Sequence, residues 1–129
     1  MINKRNKKLI EKIGFDFEWD KQKVWLIRGT IKEKDLNSLK WHLYAPFWPH
    51  KKYNYSPIDV ISKRHIYGRR YSYVMDVDLS YPITIMKNKF NKLVIIDGIH
   101  RLLKSYILNY KKVKVKQISR RDIPNIQKF

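Results

Sequence analysis

The chain has 129 residues, a length typical of one domain with a single core, and its content of 43% hydrophobic and 14% aromatic residues excludes a disordered chain. Lys and Arg number 29 against 11 Asp and Glu, and the net charge of +18 predicts an anionic partner (a nucleic acid, a nucleotide or an anionic surface), although an AT-rich genome would also favour lysine. The absence of cysteine excludes disulfides, thiolate metal sites and cysteine catalysis. Because the sequence has no long apolar run and its N-terminus lacks the apolar segment of a signal peptide, we expect a cytoplasmic protein with no membrane partner.

The first part of the chain combines a basic segment with alternating aromatic residues. Residues 1–13 are strongly basic with a weak apolar stripe, which predicts a short or frayed helix that serves either as an arm on a phosphate backbone or as a solubilising tail. Phe15, Phe17 and Trp19 alternate with acids, and residues 24–27 follow a turn, so we predict a hairpin. Its aromatic rings would pack in the core or stack on bases.

Two helices separated by a proline-flanked loop are predicted next. Thr30 and Glu33 match a capping box, and leucines at 36, 39 and 43 extend the pattern to about Tyr44. In the loop of residues 45–50, Phe47 and Trp48 lie between two prolines and would form either a pocket wall or a plug over the core.

The middle of the chain is rich in arginine. Ser56 and Pro57 predict a capped helix that runs towards Gly68, and residues 71–78 are predicted to be helical or a loop. Arg69 and Arg70 lie among tyrosines, a combination that suits phosphate and base contacts but is also common on solvated faces.

Three strands are predicted in the last third. Residues 82–87 alternate, and a turn at 88–91 makes them a hairpin neighbour of the apolar run at 93–96. Residues 113–118 form the third strand. Its lysines are predicted to point to the side opposite its valines and to form a basic surface with two arginines: Lys112, Lys114, Lys116, Arg120 and Arg121. This surface would either bind nucleic acid or protect a sheet edge.

The strand at 93–96 ends at an acid and a glycine, after which a helix is predicted over residues 98–110. The start of a helix attracts anions because its first N–H groups lack acceptors and carry the positive end of the helix dipole. His100 and Arg101 lie off the apolar stripe of this helix and are available to such a ligand. Alternatively, Asp97 only caps the helix and the two basic side chains are solvated.

The sequence Asp97-Gly98-Ile99-His100-Arg101 resembles the DGxHR signature of the ParB/sulfiredoxin-like superfamily. The resemblance extends to the strands at 82–87 and 113–118, and in the N-terminal half it rests only on the order of elements. It implies a small α+β fold, with a mixed sheet and flanking helices, as one domain over residues 1–129.

The superfamily contains nucleotide-binding domains and kinases, so the resemblance implies a nucleotide-binding protein that is a candidate kinase or nucleotide hydrolase. ATP, ADP or CTP with Mg²⁺ would be the cofactors. The backbone of Gly98, Ile99 and His100 would hold phosphate, and His100 and Arg101 would neutralise developing charge. Asp97, with Asp76 or Asp78, would hold Mg²⁺ or orient the attacking hydroxyl group.

The chain departs from the superfamily in three respects. Ile99 replaces the cysteine that sulfiredoxin chemistry requires, no helix-turn-helix follows the motif, and the arginine-rich phosphate motif of ParB proteins is missing after Arg101. The four histidines also lack metal-ligand spacing, so we expect no zinc. Two alternatives remain: a nucleic-acid-binding protein or nuclease that uses the basic surface, and a non-catalytic domain that binds a partner protein.

Overall fold

A computed structural model describes residues 8, 12–15, 17–50 and 53–128, so the prediction for residues 1–13 lies largely outside the described residues. The described strands are β1 (Thr30–Asp35), β2 (Trp48–His50), β3 (Tyr53–Tyr55), β4 (Ile83–Lys87), β5 (Leu93–Asp97) and β6 (Lys112–Gln117). The described α-helices are α1 (Lys21–Leu26), α2 (Pro57–Ser62), α3 (Arg64–Asp76), α4 (Ile99–Ile107) and α5 (Ile123–Ile126). The described residues also form three 3₁₀ turns: Leu36–Ser38, Lys40–Tyr44 and Arg120–Asp122.

A four-stranded mixed sheet with the order β1-β6-β4-β5 forms the centre of the fold. β6 is antiparallel to β1 and parallel to β4, and β4 is antiparallel to β5. β2 and β3 form a separate antiparallel ribbon. The predicted combination of a mixed sheet with flanking helices is confirmed at this level.

Both faces of the sheet are covered, which explains the unbroken apolar run in β5. Ile95 packs in one hydrophobic cluster, whereas Val94 and Ile96 pack in the other, because successive side chains of a strand point to opposite faces. The predicted hairpin between β4 and β5 is confirmed. At its turn, the Asn88 side-chain oxygen accepts hydrogen bonds from the N–H groups of Phe90 and Lys92.

The predicted hairpin at residues 15–27 is wrong. Its second half is the helix α1, because the Asp20 carboxylate caps the backbone N–H groups of Gln22 and Lys23. Phe15 and Phe17 are buried and pack edge to face in the core, so they serve packing and are not free to stack on bases.

The predicted helix from Thr30 to Tyr44 is also wrong. Residues 30–35 form the strand β1, which pairs with β6 along its whole length, and this long-range pairing overrides the local capping-box signal. The leucines of the predicted apolar stripe are nevertheless buried, because the two 3₁₀ turns that follow β1 direct them into the core: Leu36, Leu39 and Leu43.

The predicted capped helix at Ser56 is confirmed, with the Asp59 carboxylate accepting from the Ser56 N–H group at 3.0 Å. It is short, and α3 follows it as a longer helix with a kink at Tyr67, where φ is −111° and ψ is 28°. The helical prediction for residues 71–78 holds as far as Asp76.

β6 is confirmed as a strand, but it lies inside the sheet and does not form an edge. Its lysines are also partly engaged. Lys116 Nζ donates to the carbonyl groups of Val24 and Ile27, and Lys114 Nζ donates to that of Ser80. The proposed edge-protecting role of these lysines is therefore wrong. In the described part of the chain, no helix has the length and apolarity needed to cross a membrane.

Candidate functional site

The site is built on the junction between β5 and α4. Gly98 is the N-cap residue of α4, with φ of 114° and ψ of 22°, and no side chain caps the helix. The N–H groups of the first helical turn therefore have neither a capping side chain nor an acceptor within the helix. Asp97 is not the cap, which contradicts the alternative in which that carboxylate serves only to start the helix.

Asp97 instead holds two side chains from other parts of the site. Its Oδ2 atom accepts from an Arg101 guanidinium nitrogen at 2.9 Å and from Trp25 Nε1 at 2.8 Å. The side chains of Asp97 and Arg101 are only 10% and 17% exposed, so this ion pair is largely withdrawn from water. Arg101 Nε is buried and has no acceptor among the described residues.

Gly98 is required at this junction for two reasons. Its positive φ is strained for any residue with a Cβ atom, and a Cβ would lie 3.0 Å from a guanidinium nitrogen of Arg101 and 3.2 Å from the Cα of Ile83. The junction thus combines an unusual backbone conformation with close packing of the arginine that follows it.

We expect Gly98→Ala to destabilise the protein by about 2 kcal/mol, because it adds backbone strain and displaces Arg101. Urea unfolding measures the change. Gly68→Ala is the matched control, since a Cβ there meets no atom within 4 Å and the helix α3 should be unchanged or slightly stabilised. Equal stability of the two variants would contradict the prediction.

His100 lies among groups from two other elements, β2 and α3. Its ring stacks on Trp48 of β2, with the ring centres 4.8 Å apart, and contacts the edge of Tyr73 of α3. Arg70 of α3 places a guanidinium nitrogen 3.1 Å from His100 Nε2. Arginine only donates, so Nε2 accepts this hydrogen bond and the proton of the neutral imidazole is on Nδ1.

Burial, followed by the positive charge of Arg70, lowers the pKa of His100 to about 4. The imidazole is therefore neutral at neutral pH. The positive charge around the junction comes from Arg70, Arg101 and the exposed Lys21.

A cleft of about 330 Å³ opens at the start of α4, and we call it the junction cleft. Its lining includes the helix start at Gly98, Ile99 and His100, the ammonium group of Lys21 and the carboxylates of Glu18 and Asp97. The rings of the proline-flanked loop form a further wall: Phe47 and Trp48. The interpretation of that loop as a pocket wall therefore describes the structure, although Trp48 is also part of the core.

The other predicted site residues are dispersed. Asp76 is the exposed last residue of α3, and the Asp78 carboxylate accepts from the N–H group of Ser80, which lowers the pKa of Asp78. Neither lines the junction cleft. Among the described residues no group of three or more His, Cys, Asp and Glu side chains is placed to hold a metal ion.

The residues of the predicted basic patch lie on three different elements of the fold. Arg70 belongs to the site through His100, whereas Arg69 is exposed beside it. Lys112, Lys114 and Lys116 lie on β6, and Arg120 and Arg121 lie in the 3₁₀ turn that follows.

Sequence reasoning missed the groups that hold the motif residues in place: Trp25, Tyr73 and the site role of Arg70. Each comes from a segment distant in sequence. No signal in the sequence singled out Trp25, whereas the density of arginine among tyrosines drew attention to Arg70.

Comparison with known proteins adds no relative to this picture. No family model, curated protein or solved structure matches the chain.

Proposed function

We propose that the protein binds the phosphate groups of a nucleotide in the junction cleft and belongs to the ParB/sulfiredoxin-like superfamily, with phosphoryl transfer or nucleotide hydrolysis as its candidate reactions. The observation that carries the proposal is the uncapped start of α4, open to a cleft whose rim carries Lys21 and His100. The N–H groups of the first helical turn, the helix dipole and the ammonium group of Lys21 together favour a phosphate.

The roles of the motif residues follow from their surroundings. Gly98 and Ile99 present backbone to the ligand, and Arg101 supplies a fixed positive charge behind the junction. Asp97 Oδ2 already accepts two hydrogen bonds, so Oδ1 is the oxygen that would reach a Mg²⁺ ion brought by the nucleotide. Mg²⁺ takes most of its remaining ligands from phosphates and water, which suits a site with one carboxylate.

We expect ATP, ADP or CTP, with or without Mg²⁺, to raise the melting temperature of the protein. A ligand at about 100 times its dissociation constant stabilises a protein by about 2.7 kcal/mol, which a thermal-shift assay detects easily. Arg101→Ala should abolish the shift, and Lys21→Ala, which removes an exposed cation from the rim, should reduce it. Arg69→Ala removes the same charge outside the cleft and should leave the shift unchanged.

Circular dichroism of each variant separates a lost ligand site from a lost fold. A protein that responds to none of these nucleotides and to no inorganic phosphate would overturn the proposal. An equal loss in the Arg69 and Lys21 variants would show that only net charge matters.

A second candidate function, nucleic-acid binding, is favoured by a separate groove that shares no lining residue with the junction cleft. None of the described residues that line this groove of about 590 Å³ is acidic. Four of them are cations: Lys32, Lys87, Lys89 and Arg120. Binding of DNA or RNA that falls steeply with salt and weakens in Arg120→Ala, without a nucleotide response, would support this function over the first.

A further inference from the structure

A second cavity of about 470 Å³ is also lined by Asp97 but shares no other lining residue with the junction cleft. Trp25 and Tyr81 lie on its rim, so we call it the aromatic cavity. Asp97 lines both cavities and is the residue that they share. The volume is in the range of small-molecule sites, about 300–1,000 Å³.

The two rings on the rim are exposed although they are large and aromatic. Trp25 is 61% exposed and Tyr81 is 63% exposed. The indole of Trp25 is nevertheless fixed, because its Nε1 atom donates to Asp97 at 2.8 Å. An exposed aromatic ring held in position beside a cavity provides a stacking surface for a planar ligand.

Polar groups of the central strands also line the aromatic cavity. Thr84 of β4, Asp97 of β5 and Lys116 of β6 line it beside Arg101. Burial lowers the pKa of Lys116, whose Nζ atom donates to two carbonyl groups of the α1 segment. Aromatic rings combined with a few polar groups around one cavity are the composition of a site for a planar, polar ring.

We infer that the aromatic cavity binds the base of the nucleotide whose phosphates occupy the junction cleft. This inference rests on the proposed function, because the phosphate site supplies the anchor. The base stacks against Trp25 and Tyr81, and its polar edge faces Thr84 and Arg101. Asp97 then lies between the phosphate part and the base part of one ligand.

The test compares ligands with and without a base. Calorimetric titration of the full chain with ATP, CTP and inorganic tripolyphosphate gives affinities for each. Tyr81→Ala should weaken ATP or CTP about tenfold or more, because base stacking is lost, and should leave tripolyphosphate unchanged. Tyr110→Ala removes a tyrosine that is 51% exposed outside the cavity and should change neither ligand.

A second pair of variants guards against an indirect effect of Tyr81. Trp25→Phe keeps an aromatic ring and should weaken the nucleotide less than Trp25→Leu does, whereas tripolyphosphate should not distinguish the two. If nucleotides and tripolyphosphate bind with equal affinity and Tyr81→Ala changes neither, or weakens both equally, the inference is overturned and the proposed function stands. If neither ligand binds, the proposed function fails and the inference fails with it.

Discussion

Acidification from about pH 7 to about pH 4 is expected to remove about 3 kcal/mol of stability through His42 alone. His42 is fully buried, its Nε2 atom accepts from the Ile95 N–H group at 2.9 Å, and its Nδ1–H group donates to the Leu39 carbonyl at 2.7 Å. Burial lowers the pKa of His42 from 6.5 to about 4. The unfolded chain therefore binds the proton more tightly than the folded protein does.

The sign of the effect follows from that difference in proton binding. Stability is complete above the ordinary pKa of histidine and decreases as the pH falls from 6.5 towards 4, where the folded protein also becomes protonated. His100, with its pKa also lowered to about 4, acts in the same direction.

Urea unfolding at a series of pH values measures this slope. His42→Gln removes the titrating group and should flatten the slope between pH 6.5 and 5, although the variant itself is less stable. His65→Gln replaces an exposed histidine and should leave the slope as it is. A slope unchanged by His42→Gln would show that His42 does not carry the effect.

Removal of the Asp97 carboxylate is expected to cost about 3 kcal/mol or more in Asp97→Ala. The variant leaves the guanidinium of Arg101 largely buried without its counter-charge, and loss of one partner of a buried pair typically costs about 3–5 kcal/mol. The hydrogen bond from Trp25 Nε1 is lost at the same time. Asp97→Asn keeps an acceptor for Trp25 and should lose less stability.

A surface ion pair in the same chain provides the matched control. Glu18 and Lys128 lie 3.7 Å apart, and the Lys128 side chain is 58% exposed, so Glu18→Ala should cost at most about 1 kcal/mol. Chemical unfolding of both variants tests the contrast. Similar losses of unfolding free energy in Asp97→Ala and Glu18→Ala would mean that the Asp97–Arg101 pair contributes no more to stability than a surface ion pair.

The C-terminal half was the more predictable part of the fold because its signals are local. In this half, each segment has a sequence pattern that indicates its conformation without reference to distant residues. Examples are the apolar run at 93–96, Gly98 and the helical stripe after it. The hairpin between β4 and β5 also joins neighbours in sequence. In the N-terminal half, Thr30 and Glu33 match a helix start, but pairing with Gln117 and Lys114 decides the structure.

The candidate site shows the same division. The sequence reveals Asp97, His100 and Arg101 as a motif, but it gives no indication that Arg70 donates to His100 or that Trp25 donates to Asp97. These contacts join residues that are 30 and 72 positions apart. Only the arrangement of the helices around the sheet brings them together, and no periodicity in the sequence encodes that arrangement.

The position of β1 at the outside of the sheet bears on self-association. Its outer side is a row of backbone donors and acceptors to which a second copy of the chain would add a strand. Lys32, Glu33, Lys34 and Asp35 follow one another along this strand. A second copy in register would have to desolvate these charges, which disfavours edge-to-edge pairing through β1.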